Sequence, residues 1–144
     1  MQVFVPRDLP AAKLLCIPPH SIGAWLPIIG PMIVRAYTEF GMDAPSWLVG
    51  DLRDGKALAW IAVGDGDRVL SVCVTALVTR HAGLVCKIMA CSGENLDLWS
   101  AFHLEIERYA KGEGCVKVEI EGRRGWERAL SGYRATRVIL EKVL

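Results

Sequence analysis

Apolar residues recur at helical spacing in the first third of the chain and at strand spacing after residue 57. Before residue 20 four prolines, Pro6, Pro10, Pro18 and Pro19, restrict helix and leave room for one short strand over residues 13–17. Ser21 then stands where an N-cap would, and the apolar residues behind it predict a helix to about Phe40, with Gly41 as its stop. Pro27 and Pro31 fall inside it, so a kink or a division in two is expected. Residues 46–55 predict a second, short helix. Ser46 would cap it, Trp47, Leu48 and Leu52 would form its apolar face, and Asp54-Gly55 would end it.

From residue 57 the pattern is that of a sheet. Residues 57–63, 69–80 and 84–90 are rich in Val, Ala, Ile and Thr and predict three strands. Gly64-Asp-Gly-Asp67 and His81-Ala-Gly83 supply the turns, which makes the three an antiparallel meander. Ser92-Gly-Glu-Asn95 breaks the sheet and opens a helix over residues 96–111. Leu98, Phe102, Ile106 and Tyr109 return at helical spacing beside Trp99, while Asp97, Glu105, Glu107, Arg108 and Lys111 supply a wet side. Gly112-Glu-Gly114 ends that helix. A strand over 115–121, a short helix over 125–131 stopped by Gly132, and a last strand over 135–144 complete the order. One α/β (α+β) domain over residues 1–144 is expected, with a mixed central sheet and helices on both faces.

Composition narrows the function classes. The 144 residues are 52% hydrophobic and 23% charged, which excludes global disorder and makes a single packed domain. Lys and Arg number 17 against 16 Asp and Glu, so the net charge of +1 argues against a nucleic-acid coat. A local basic stretch does occur, Arg123, Arg124, Arg128, Arg134 and Arg137 interleaved with Trp126 and Tyr133, and such a stretch can hold phosphates and stack bases. No nucleic-acid motif accompanies it, so nucleic acid is not the expected partner. The apolar run over 22–34 is too short for a bilayer and is broken by two prolines. The first residues lack the basic-then-apolar order of an export signal. The five cysteines are odd in number. Cys86 and Cys91 come nearest to a metal-ligand pair and no second pair follows, so reduced thiols, no metal site and a cytoplasmic setting are expected.

The second half carries a resemblance. An apolar strand ends at Cys91, a glycine turn follows, and a long helix ends in Tyr109-Ala-Lys-Gly-Glu-Gly-Cys115. Val116-Lys-Val-Glu-Ile-Glu121 and Gly125-Trp-Glu-Arg-Ala-Leu-Ser-Gly-Tyr133 complete it. In order and length the chain, over about residues 13–144, resembles the GCN5-related N-acetyltransferase (GNAT) family. The stretch Gly122-Arg-Arg-Gly-Trp-Glu127 is also similar to small phage- and prophage-encoded relatives. The resemblance implies a parallel fourth and fifth strand and transfer of acetyl from acetyl-CoA to the primary amine of a small molecule or protein.

It also implies positions. In the family, a glycine-rich turn after the fourth strand aims backbone N–H groups at the CoA pyrophosphate, on the N-terminus of the next helix. The matching residues are Cys91, Ser92, Gly93, Glu94, Asn95 and Leu96, with Arg123 and Arg124 available to pair with phosphate. The chain departs from the pattern here, offering one glycine where several are usual and placing Glu94 and Asp97 near the anion. Ser92 or Asn95 as a helix cap explains the same residues without a ligand. The family's acid, a Tyr four residues before the late glycine, is Arg128 here, and Tyr133 is the neighbouring hydroxyl, at the position of a packing aromatic. Glu119 and Glu121 share one face of their strand and are candidate bases, a pairing that would raise one pKa unless cations intervene. His20, His81 and His103 have no partner that the sequence reveals. The alternative is a non-catalytic binding or structural protein on the same scaffold, such as a component of a phage virion with phage structural proteins as partners.

Overall fold

The computed structural model describes residues 13–93, 96–121 and 130–144. Among them the elements run β1 (Lys13–Cys16), α1 (Ile22–Thr38), α2 (Leu48–Asp54), β2 (Ala57–Val63), β3 (Val69–Arg80), β4 (Gly83–Gly93), α3 (Leu96–Gly112) and β5 (Lys117–Ile120). The strands form one sheet in chain order, β1 to β5. Neighbours from β1 to β4 are antiparallel, and β4 and β5 are parallel, with α3 as the crossover between them. The sheet is mixed, as the element order predicts.

Two apolar layers hold it. Ala57, Ala59, Ile61 and Val63 of β2 face one way and join Ile29, Ile33, Leu48 and Leu52 of α1 and α2. Trp60 and Ala62 face the other way and join Cys73, Cys86, Ile88 and the α3 residues Ile106 and Ala110. A strand buried on both sides has no wet face, which is why β2 reads as an unbroken apolar run. Trp60 packs edge-on against Tyr109 with ring centres 5.1 Å apart, and its indole N–H donates to Thr75 Oγ1 at 2.9 Å. That bond satisfies a donor which burial would otherwise leave costly.

Several expectations need correction. Helix α1 is continuous through Pro27 and Pro31, both of which are exposed and one turn apart. The carbonyls that they leave unbonded lie on the solvent side, where water can serve them, so the helix is not divided. Ser21 occupies the N-cap position of α1 but makes no capping side-chain bond, and Trp47, not Ser46, precedes α2 and is half exposed. Gly41 does end α1. Its φ of 69° lets its N–H reach Thr38 and that of Met42 reach Tyr37.

Strand β4 is longer than its pattern, because β3 carries it on through Cys73↔Cys91, Val72↔Ser92 and Ser71↔Gly93. Residues 135–144 form no strand, although their sequence suits one. Strand-prone side chains need a partner edge, and this segment pairs with none. The short helix expected over 125–131 falls largely on residues outside those described.

Candidate functional site

The parallel pairing of β4 and β5 is short. It covers Val85↔Lys117 to Ile88↔Ile120, after which β4 runs on to Gly93 while β5 has ended. Beyond Ile88, therefore, the β5-facing edge of β4 has no strand partner among the described residues. The register against β3 slips at the same place: Val74 faces Ala90 and Thr75 faces Ile88, which leaves Met89 without a partner. Such a bulge re-aims backbone groups and bends the strand. At this splay a cleft of about 1160 Å³ opens, lined by Met89, Ala90 and Cys91 of β4, Glu107 and Lys111 of α3, and the whole of β5. Tyr37, Phe40 and Met42 from the end of α1 and Tyr133 to Arg137 from the last segment complete the wall.

The acetyl-CoA positions implied by resemblance divide around this splay. Cys91, Ser92 and Gly93 are residues of β4 and not of a loop, with Cys91 on the cleft wall. Ser92 is buried and accepts a bond from Arg35 Nη2 at 3.4 Å, which ties this end of β4 to α1. Leu96 opens the seventeen-residue α3. Glu94, Asn95, Arg123 and Arg124 lie outside the described residues.

The acid–base candidates all reach the cleft. Arg80 grips Glu119 through Nε and Nη2, at 3.3 and 3.2 Å, and Arg137 Nη2 adds a third bond at 2.9 Å. Burial works against ionisation of Glu119, yet the two guanidinium groups outweigh it and hold its carboxyl below the ordinary 4.5. That direction is opposite to the one a repelling carboxylate pair would give. Glu121 is separately engaged by Lys87 Nζ at 2.7 Å and is more than half exposed. The cations that separate the two carboxylates come from β3, β4 and the last segment.

Tyr133 is half-buried, and its hydroxyl meets polar groups of α3. Its hydroxyl donates to Glu107 Oε2 at 3.0 Å, and the same oxygen lies 3.5 Å from His103 Nε2. Burial first, then the Glu107 carboxylate, push the Tyr133 pKa well above the ordinary 10.0, so the phenol keeps its proton. Sequence reasoning missed Glu107 and His103 as members of this cluster, though their i,i+4 spacing on α3 was a usable signal. It also missed the Met89 bulge, for which the sequence gives no sign. No group of three metal-ligating side chains occurs among the described residues, whose five cysteines are all free thiols. No helix among those residues is long and apolar enough to cross a membrane.

The Glu119 cluster has a checkable consequence. A carboxyl held below 4.5 in the fold contributes its full stabilisation above that pH and loses it as the pH falls through the folded value. Glu119→Gln should therefore cost roughly 1 kcal/mol at pH 7, a modest figure because Arg137 is exposed. In urea titrations the gap from the parent protein should narrow steadily below pH 4.5.

A mixed sheet that splays between a parallel fourth and fifth strand, with a long helix crossing between them, has the GNAT-like topology. Solved structures agree in fold. A probable acetyltransferase superposes with a TM-score of 0.69 over 92% of this chain and 96% of its own, at 13% identity. The aminoglycoside 6'-N-acetyltransferase of Acinetobacter baumannii gives 0.65 over 93% and 99%, at 12% identity. A protein of Clostridium acetobutylicum described as a predicted acetyltransferase and solved with acetyl-CoA gives 0.65 over 92% and 96%, at 13%. No family model and no curated protein matches the sequence.

Proposed function

We propose that this protein transfers an acetyl group from acetyl-CoA to a primary amine in the cleft between β4 and β5. The observation that carries the reading is the edge of β4 from Met89 to Gly93, open among the described residues, bulged at its start and leading towards the N-terminus of α3. An open strand edge offers backbone N–H groups to an extended amide chain and to a carbonyl oxygen, and a helix N-terminus suits a phosphate. The fit is to the backbone more than to side chains. Bound there, acetyl-CoA would supply its acetyl group as a thioester.

The chain's own residues then have distinct tasks. Backbone N–H groups of β4 near the Met89 bulge polarise the carbonyl, a form of stabilisation that needs only fixed dipoles. Tyr133 retains its proton and is the donor for the departing sulfur, exchanging its bond to Glu107 for one to the thiolate. Glu119, held as a carboxylate by Arg80 and Arg137, is charge-balanced there and fixes the β5 wall of the cleft. Glu121, held by one lysine and open to water, takes the proton that the amine must shed. The backbone N–H groups of Gly93, Glu94, Asn95 and Leu96, with the side chains of Arg123 and Arg124, are proposed to receive the pyrophosphate, Cys91 and Ser92 forming the strand end that leads to them. Five free thiols suit a reducing cytoplasm. The comparison structures, at 12–13% identity, support the scaffold and give a phage origin no particular support.

Calorimetric titration with acetyl-CoA tests the proposal. Saturable binding in the micromolar range is expected, and Gly93→Val should abolish it, because a branched side chain at the end of β4 stands between backbone and phosphate. Silence of the parent protein at millimolar ligand would leave a non-catalytic binding protein on this scaffold.

A further inference from the structure

Cys73 of β3 and Cys91 of β4 stand directly opposite each other in the sheet. Opposed residues of an antiparallel pair have Cα atoms about 4.5–5.5 Å apart, inside the roughly 4.4–6.8 Å that a disulfide spans. Their Cβ atoms, about 4.5–5.5 Å apart in such pairs, need only a small closure to reach the roughly 3.5–4.5 Å of a bridged pair. Both side chains leave the sheet on the face that α3 covers, where they join one apolar layer. Both are free thiols, and they share a hydrogen bond, so the sulfurs already lie side by side. The other strand cysteines have no such neighbour: Cys16 faces Trp60 and Cys86 faces Leu77.

The two thiols differ in access. Cys73 is fully buried, and burial holds its pKa well above the ordinary 9.0, so by itself it is an inert core thiol. Cys91 is partly exposed and lies on the wall of the cleft, where a small solute can meet it. An accessible thiol backed by a second one in contact is the arrangement in which oxidation stops at a disulfide and goes no further.

We propose that Cys91 and Cys73 form a reversible oxidation site, at which a peroxide entering the cleft joins the two thiols in a disulfide that ties β4 to β3. Cys91 loses its proton and attacks one peroxide oxygen. The O–O bond breaks, leaving a sulfenic acid on Cys91 and a hydroxide that departs with that proton as water. The Cys73 sulfur then attacks the Cys91 sulfur, the S–O bond breaks, and the hydroxyl leaves with the Cys73 proton as a second water. Two thiols and one hydrogen peroxide thus give one disulfide and two waters, the sulfurs being oxidised by the two electrons that the peroxide gains. Contact makes the second attack intramolecular, which offsets the poor reactivity that burial gives Cys73. A dithiol reverses the bridge by exchange. None of this needs bound acetyl-CoA, so the site stands apart from acetyl transfer.

Mass spectrometry of the folded, full-length protein tests this after exposure to hydrogen peroxide and unfolding in iodoacetamide. Trypsin releases the two cysteines in separate peptides, residues 69–80 and 88–108, with no other cysteine in either. The unreduced digest should contain these two joined, lighter than their sum by two hydrogens, and dithiothreitol should part them. Cys115→Ser should leave the bridge in place. Cys91→Ser should leave Cys73 unoxidised and fully alkylated once the chain is unfolded. The digest of the parent protein decides the matter even where a variant fails to fold. Both peptides alkylated after peroxide, a sulfinic acid on Cys91 with Cys73 intact, or a bridge from Cys91 to any other cysteine would overturn the proposal. So would oxidation of Cys73 in the Cys91→Ser variant, or loss of the bridge in Cys115→Ser.

Discussion

Replacing Ile88 by Ala should lower the unfolding free energy by about 2–5 kcal/mol, the largest stability change expected from one substitution near the site. Ile88 is 1% exposed and lies where three things meet: the last β4–β5 pair, the α3 layer through Ile106 and Ala110, and the start of the splay. Removing three carbons there leaves a cavity that the sheet cannot close, since β4 is fixed on its other side by β3. Urea titration should show a lower midpoint with an unchanged slope. Ile28→Ala, on the half-exposed face of α1, should stay within about 0.5 kcal/mol of the parent protein. A loss at Ile88 no larger than at Ile28 would mean that the strand is not packed where the splay begins.

Tyr133→Phe should reduce kcat by about 10²-fold or more and leave acetyl-CoA affinity nearly unchanged. The change removes one oxygen, which meets Glu107 at 3.0 Å, and leaves the ring in place beside His103. The pH profile separates an acid from a packing residue. A group that acts in its protonated form loses activity as the pH rises through its pKa, and that of Tyr133 is held above the ordinary 10.0 by burial and by Glu107. Activity of the parent protein should persist on the alkaline side up to pH 10, and Glu107→Gln should move the alkaline fall to lower pH. A Phe variant with full kcat would remove Tyr133 from the chemistry.

The sequence shows the meander most clearly. β2 and β3 occupy the residues their pattern marks, because long runs rich in apolar and β-branched residues are bounded on both sides by glycine turns. At the hairpin between β3 and β4, Gly83 adopts a φ of 134°, and a Cβ there would meet Val116 at 3.1 Å, so that glycine serves both turn and packing. What the sequence conceals is set by neighbours far along the chain. Ser92 and Gly93 read as a turn, yet β3 holds them as strand. Glu119 and Glu121 read as a pair, yet Arg80, Arg137 and Lys87 arrive from elsewhere to claim them. The tail reads as a strand by its own pattern, and that pattern says nothing about whether an edge is there to receive it. His103 is buried on α3 beside Glu107, a contact visible in spacing but not in depth.

The most direct measurement follows the backbone of β4 itself. In the nitrogen-15 spectrum of the labelled protein, acetyl-CoA should saturably shift the amides of Met89 to Gly93 and of Leu96, and should slow their exchange with solvent. Those of β1 and β2 should stay in place. If acetyl-CoA leaves the β4 amides unmoved, or moves only residues away from the splay, the open edge of β4 is not an acetyl-CoA site and the account of the cleft is wrong.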